Sequence, residues 1–539
     1  MKITTLESPI LQPAPLGRCG MFVSALFCVL ALAFIILTQS PHLNRPPFDA
    51  HNFRQSQTWS TVELYNETGI DLLNPRTNYI GEPGIFVLEF PLYQALAAML
   101  MKGFGHTIAV ARVFNLLVTL ASAGIVFLMG RRIMGMPSGL LAALLYLSAP
   151  LNLTYMSSVL IDPLANLAAL GAFYMAAQLL AEIPPKTVWI SLCFCFFAIV
   201  TALIKALYLF PVICLISLAI GTGGREQRKS ALLLLVWLVP SGISFLLWSH
   251  HASQVNNASF FTEGVNPLGL LGWDKLFTVG WIVAMAKRFV SACAGPLAAL
   301  LILSGLLYAA YEAFRTHQRG NFLVVLFFTC GVVIGYWLVF PNINYPHEYY
   351  SLITTPFLAL AAAAVITRLT VKCQTVFARA PLAILLFIGM GLVTSGTNVL
   401  FFLKRNATLP ISSNPNLLTL QSLAGNAFQH GDYAMVFVQT ERSPGGGNMG
   451  SSPAAMTALG VLGTSTIVDD AANALERWRA FRPHYHHLHY VVFFGMPPVQ
   501  QIVQEFSVPV FTNETEKIYG FAVPNFESSK SEIVKQPDI

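Results

Sequence analysis

Asp49, His51 and Arg54 fall within six residues in Pro47-Phe-Asp49-Ala-His51-Asn-Phe-Arg54-Gln-Ser-Gln57, just after the first long apolar run. A carboxylate there can act as a general base, and the guanidinium can hold an anion. Two plainer readings also fit: an Asp49–Arg54 surface pair, or an Asp49 cap on the following helix. A second acid, Asp162, precedes Pro163 at the start of an apolar run. Helix capping explains it, and so does an acid facing the same cavity as Asp49. Five basic residues, Arg76, Arg112, Lys205, Lys287 and Arg288, interrupt otherwise apolar or weakly polar sequence. Lys205, between Ala-Leu-Ile and Ala-Leu-Tyr-Leu-Phe-Pro211, either snorkels to an interface or holds a phosphate. The last group is Asn342-Ile-Asn-Tyr345-Pro-His347-Glu348-Tyr349-Tyr350. An aromatic belt accounts for its tyrosines but not for His347 and Glu348, which suit phosphate, sugar or a metal ion.

The elements that must position these groups are membrane helices. Hydrophobic residues make up 55% of the 539 and charged residues only 10%, against about 25% in soluble proteins. So few charges cannot clothe a soluble surface of this size, and the net charge of +6 is too scattered to imply nucleic acid. Apolar runs predict about eleven crossings, near 19–39, 107–129, 138–156, 163–181, 187–204, 206–222, 231–249, 290–311, 321–340, 349–367 and 381–402. With the N-terminus in the cytoplasm, Arg131, Arg132, Arg225, Arg228, Lys229, Arg368 and Lys372 all fall inside, as the positive-inside rule demands. The outer face then carries the loop 40–106, the turn 157–162, the loop 250–289, the turn 341–348 and everything from 404 onward. Residues 85–104 read as an outer helix lying in the interface, because a crossing there would invert every later loop.

Two domains are expected. Residues 1–403 form the membrane domain, with 40–106 as its outer catalytic loop. Residues 404–539 form an extracytoplasmic α/β domain, since strand-like runs (433–439 and 490–495) flank a helical stretch, 469–481. None of the eight cysteines lies in either polar region, which leaves no disulfide framework or zinc knuckle there.

These groups together place carboxylates and cations at one membrane face. Sugar transfer from a lipid phosphate calls for that combination: a base for the acceptor hydroxyl and positive charge for the departing phosphate. At these residues the chain resembles the GT-C glycosyltransferases of the protein O-mannosyltransferase and lipid A aminoarabinose transferase type, glycosyltransferase family 39-like. The resemblance rests on Asp49, Glu82-Pro83-Gly84, Glu89-Phe-Pro-Leu-Tyr93, Ala111-Arg112, Arg131-Arg132, Asp162-Pro163, Lys205 and His347-Glu-Tyr-Tyr350, over about residues 20–370. It implies an α-helical polytopic membrane protein of the GT-C type, with Asp49 as catalytic base and Asp162 as second acid. It also implies that Lys205, with Arg112, Arg76 or Arg54, holds the donor phosphate. His51, Glu82, Glu89, Tyr93, His347, Glu348 and Tyr349 would line the substrate site. Family members often carry Asp-Glu where this chain has Asp49-Ala50-His51.

The expected partners are a polyprenyl-phosphate sugar as donor, a glycan, lipid or protein acceptor, and the membrane itself, with no nucleic acid. No cofactor is implied outright, although a divalent metal ion would suit the carboxylates. The expected location is a bacterial inner membrane with a periplasmic site. Two rivals share the apolar architecture: an oligosaccharide ligase using a diphosphate-linked donor, and a transporter or flippase, which would show matching halves and mid-span acids. His484, His486, His487 and His489 form a weaker cluster, read as a polar strand edge ahead of a metal site.

Overall fold

The computed structural model describes residues 18–81, 84–181, 187–259, 262, 273–316, 321–377, 380–408, 416–429, 432–439, 453–484, 488–505, 508–515 and 517–522. The chain divides into two compact units.

The first unit takes in Met1–Arg45, Thr107–His251 and Pro267–Thr408 and is helical. Among the described residues, six helices are long and apolar enough to cross a bilayer, or seven when one sharply bent pair counts as a span. This is fewer than the about eleven runs in the sequence, and local chemistry explains several of the differences. Pro150 cannot continue the helix Met136–Ser148, so the run 138–156 becomes a 13-residue helix and a six-residue one. The expected crossing 290–311 bends by 111° between Val279–Cys293 and Pro296–Glu312, at Gly295 (φ +86°) and Pro296. The run Val188–Thr222 is helical throughout except at Lys205, whose extended backbone (φ −161°, ψ 82°) interrupts it. Both arms pack on the helix Asp162–Ala181. Lys205 and Tyr208 both reach Asp162 at that helix's first residue. The sequence divides this stretch into two runs, 187–204 and 206–222; by length and composition it forms one candidate span with a local break at Lys205.

Burial separates core from lipid-facing helices. The stretch Glu348–Gln374 is 89% buried over its most apolar window, Arg225–Asn257 only 17%. Ala359 to Ala364 are all buried, and small side chains of this kind let neighbouring backbones approach. Leu232, Val236, Leu246 and Leu247 are exposed on Arg225–Asn257, which suits hydrocarbon as solvent. The protein is an integral membrane protein.

The second unit joins Pro46–His106, Ala252–Asn266 and Leu409–Ile539. Its centre is a five-stranded sheet of β1 (Tyr433–Gln439), β2 (Leu462–Val468), β3 (Tyr490–Phe494), β4 (Val508–Asn513) and β5 (Ile518–Ala522), in the order β2-β1-β3-β5-β4. The pairs β1–β2 and β1–β3 are parallel, and their crossovers contain the helices Pro453–Leu459 and Ala471–Phe481. β5 runs antiparallel to β3 and β4. Both faces are covered, so β1 is apolar along its length: Ala434, Val436 and Val438 enter one core, Met435 and Phe437 the other.

Most of the loop 40–106 belongs to this unit. Phe48, Tyr79, Ile80 and Phe86 enter the core that holds Val436 and Met456. Gly81 N–H donates to Gly463 O at 2.6 Å and Ser465 N–H to Tyr79 O at 3.3 Å, so residues 79–81 cover the β2 edge. The helix Leu92–Phe104 buries Tyr93, Ala97, Ala98 and Met101 and exposes Met99 and Phe104. At 13 residues it is about 20 Å long, too short to cross a bilayer core of about 30 Å.

Candidate active site

In the second unit Asp49 precedes the helix Asn52–Thr68. The N-cap of that helix is His51, in the left-handed region (φ 54°), with no side-chain capping bond. Asp49 is therefore not the cap. Gln55 Nε2 donates instead to Asp49 Oδ1, and to Ala50 O at 2.7 Å. Asp49 and His51 are both half-buried. A non-glycine residue at positive φ is costly enough that surrounding contacts must hold it. Here it turns the chain so that the carboxylate sits against the amide of Gln55. Arg54 pairs with Glu89. Its guanidinium donates to Glu89 and to Gln57 Oε1, and Gln57 Nε2 contacts Tyr79 Oη at 2.6 Å. Tyr93 is fully buried and packs in the core. Arg76 is half-buried and bridges to Ile85. Glu82 lies outside the described residues.

Six polar residues of the helix Asn52–Thr68, from Gln55 to Thr61, are buried. So dense a buried polar run needs partners, and it carries residues that single-residue inspection passes over: Gln55 and Gln57. The run Gln-Ser-Gln-Thr-Trp-Ser-Thr was itself the signal, since it has no apolar stripe to bury. In the same helix, burial pushes Glu63 up to about 8, with Glu67 one turn on adding repulsion.

In the first unit Asp162 is the first residue of its helix and wholly buried. Lys205 Nζ donates to Asp162 Oδ1 at 2.5 Å and Tyr208 Oη to the same oxygen at 3.0 Å. The ammonium also lies 3.8 Å from the Tyr350 ring centre and 5.0 Å from that of Tyr349. Those two rings stack at 4.9 Å, and His347 lies tilted against both. Tyr155 Oη donates to Glu348 at 3.1 Å. Asp162, Lys205 and the 347–350 segment therefore meet in one place, together with Tyr155 and Tyr208. Tyr208 stands three residues after Lys205, one helical turn on, which was the legible clue.

The other buried cations hold backbone. Arg112, 1% exposed, donates from Nε to Arg45 O at 3.1 Å and from Nη1 to Ser157 O at 2.8 Å. Arg288 donates to the carbonyls of Asn344 and Tyr345, while its neighbour Lys287 is exposed. His489 is buried beside Asp432 at 3.3 Å, and His486 and His487 lie outside the described residues. Among the described residues no three His, Cys, Asp or Glu side chains gather as metal ligands.

Solved structures share this fold. ArnT from Cupriavidus metallidurans in the apo state aligns with a TM-score of 0.62 at 12% identity, over 92% of this chain and 97% of that one. The chain has the GT-C glycosyltransferase fold. The same ArnT bound to undecaprenyl phosphate aligns at 0.58 and 12% identity, over 92% and 98%. The archaeal oligosaccharyltransferase AglB from Archaeoglobus fulgidus, in complex with an inhibitory peptide and a dolichol-phosphate, aligns at 0.56 and 8% identity, over 95% of this chain and 75% of that one. No family model matches the sequence, and no curated protein matches it. The GT-C fold is thus carried at an identity too low for pairwise sequence comparison, which is why the order of motifs, and not any one of them, revealed it.

Proposed function

We propose that this protein is a glycosyltransferase that moves a monosaccharide from a polyprenyl-phosphate donor to an acceptor hydroxyl at the outer face of a bacterial inner membrane. The observation that carries the reading is the Asp49–Gln55 pair at the head of the outer loop, in a chain whose fold matches ArnT over nearly the whole length of both. Asp49 takes the proton as the acceptor oxygen attacks the anomeric carbon. The bond from that carbon to the phosphate oxygen breaks, and the lipid phosphate leaves with the electron pair. Attack opposite the leaving group inverts the anomeric centre. Gln55 orients the base.

Of the four basic residues the sequence offers for the phosphate, Lys205 and Arg112 are buried and engaged with Asp162 and with backbone carbonyls, and Arg54 with Glu89. This favours Asp162 and Lys205 as positioning residues at the break between two helices. His51 sets the turn that carries Asp49; Glu348 and Tyr349 shape the tyrosine cluster.

The likeness to AglB, an oligosaccharyltransferase by name, keeps a diphosphate-linked donor as the second reading. Purified protein given a labelled polyprenyl-phosphate hexose and, separately, a polyprenyl-diphosphate oligosaccharide decides between them. Transfer from the monophosphate alone supports the proposal; transfer from the diphosphate alone overturns it.

A further inference from the structure

Asn256 is wholly buried near the end of the 33-residue helix Arg225–Asn257. From Ala252 onward that helix belongs to the second unit. Within this unit Asn256 holds Val87, 169 residues earlier in the chain, by both backbone groups. Val87 N–H donates to Asn256 Oδ1 at 3.0 Å, and Asn256 Nδ2 donates to Val87 O at 2.7 Å. A carboxamide offers a donor and an acceptor side by side, as the backbone of a neighbouring strand does.

The stretch needs such a partner at this point. Residues 75–77 and 84–86 run antiparallel: Thr77 N–H donates to Gly84 O at 2.7 Å, Phe86 N–H to Pro75 O at 2.9 Å, and Arg76 bridges Ile85 between them. Val87 comes next and is wholly buried. Its N–H and C=O must be paired in a place that water does not reach, and Asn256 takes both. Two residues on, Glu89 accepts from Arg54, which adjoins Gln55, the donor to Asp49. Asn256, Val87, Glu89, Arg54 and Gln55 are thus joined by hydrogen bonds and short lengths of chain into one series that ends at the proposed base. A clamp on an ordinary surface loop would lead to no such residue.

We propose that Asn256 is a positioning residue of the candidate active site. By holding both backbone groups of Val87 it places the Glu89 carboxylate against Arg54, and so fixes the head of the helix that carries Gln55. Its role in turnover rests on the transferase reading; the coupling itself does not.

The coupling is read without turnover, by hydrogen exchange of the full-length protein in lipid nanodiscs. Asn256→Leu keeps the volume and removes both hydrogen bonds. Exchange should quicken about tenfold, the scale of one or two lost hydrogen bonds, in 84–91 and also in 52–58, while 433–439 in the sheet keeps the parent's rate. Thr262→Val is the control, since Thr262 Oγ1 donates to Asn256 O at 2.7 Å and ties the same helix end through a different bond. It should leave 52–58 at the parent's rate. Should Asn256→Leu fail to fold, Asn256→Asp, which keeps the acceptor for Val87 N–H and lacks the donor to Val87 O, is read in the same way. Sugar transfer supplies a second arm. Asn256→Leu should lower kcat about tenfold or more, the effect of a small misplacement near the chemistry, yet cost nothing further in a Glu89→Ala background, where its path is already cut. Quickening confined to 84–91, quickening that extends to 433–439, an equal response in Thr262→Val, or kcat losses that multiply in the double variant would each overturn the proposal. The expected exchange pattern in a protein that transfers no sugar would leave the coupling standing and sink the transferase reading alone.

Discussion

Lys205 Nζ and Asp162 Oδ1 stand 2.5 Å apart in an environment where neither side chain is more than 3% exposed. The pair sits at the break in the stretch Val188–Thr222, and Tyr208 and Tyr350 complete its surroundings. Removing one partner strands the other charge, which costs about 3–5 kcal/mol in buried pairs. Lys205→Met and Asp162→Asn should each lower the unfolding temperature in detergent by several degrees, and the double variant should recover part of the loss. A Lys205→Met protein as stable as the parent, with only its donor KM raised, would return Lys205 to the phosphate.

Arg112 joins two carbonyls separated by 112 residues, those of Arg45 and Ser157. Each stranded carbonyl costs about 1–3 kcal/mol. Arg112→Met should reduce the yield of folded protein without changing the donor KM of what folds. A normal yield with a KM raised tenfold would mean that the guanidinium touches donor.

Glu63 titrates near pH 8 in the fold, against an ordinary value of 4.5. Between these values the folded protein keeps a proton that the unfolded chain has lost. Stability should therefore fall as pH rises from about 4.5 to about 8, then level off. Glu63→Gln removes this contribution. Its unfolding temperature should match the parent's near pH 4.5 and exceed it at pH 8.5; parallel curves across that range would show that Glu63 is ordinary.

Gly463 sits at φ +135°, and an added Cβ would lie 2.0 Å from Ala434 O in the neighbouring strand. Its own carbonyl accepts from Gly81 and so ties the outer loop to the sheet. Gly463→Val should open that edge, seen as faster proteolysis within 75–91 and loss of transfer even though the residue carries no chemistry. Parental protease resistance would refute the coupling.

Much of this architecture was legible because its cause is local. Apolar runs gave helices, the dense β-branched and aromatic stretches at 433–439 and 490–494 gave strands, and isolated charges such as Asp162 and Lys205 marked ends of helices. What the sequence hid depends on distant partners. Arg54 binds Glu89, 35 residues on, a partner that only the fold brings to it, while Asp49 meets Gln55 through the turn at His51. Lys205 reads in the sequence as a snorkelling cation or a phosphate ligand, and its partner Asp162, 43 residues earlier, is visible only in the fold. That the outer loop shares a core with strands 350 residues away is likewise a property of the folded chain.

The central claim is that Asp49 is the base for sugar transfer. Its most direct test is the rate of transfer from a labelled polyprenyl-phosphate hexose to membrane lipid and protein fractions, for the parent and for Asp49→Asn at equal folded concentration. The account predicts a fall in kcat of about a hundredfold or more, the scale of a lost general base, with the donor KM nearly unchanged. Equal rates in the two proteins would contradict it and remove Asp49 from the chemistry.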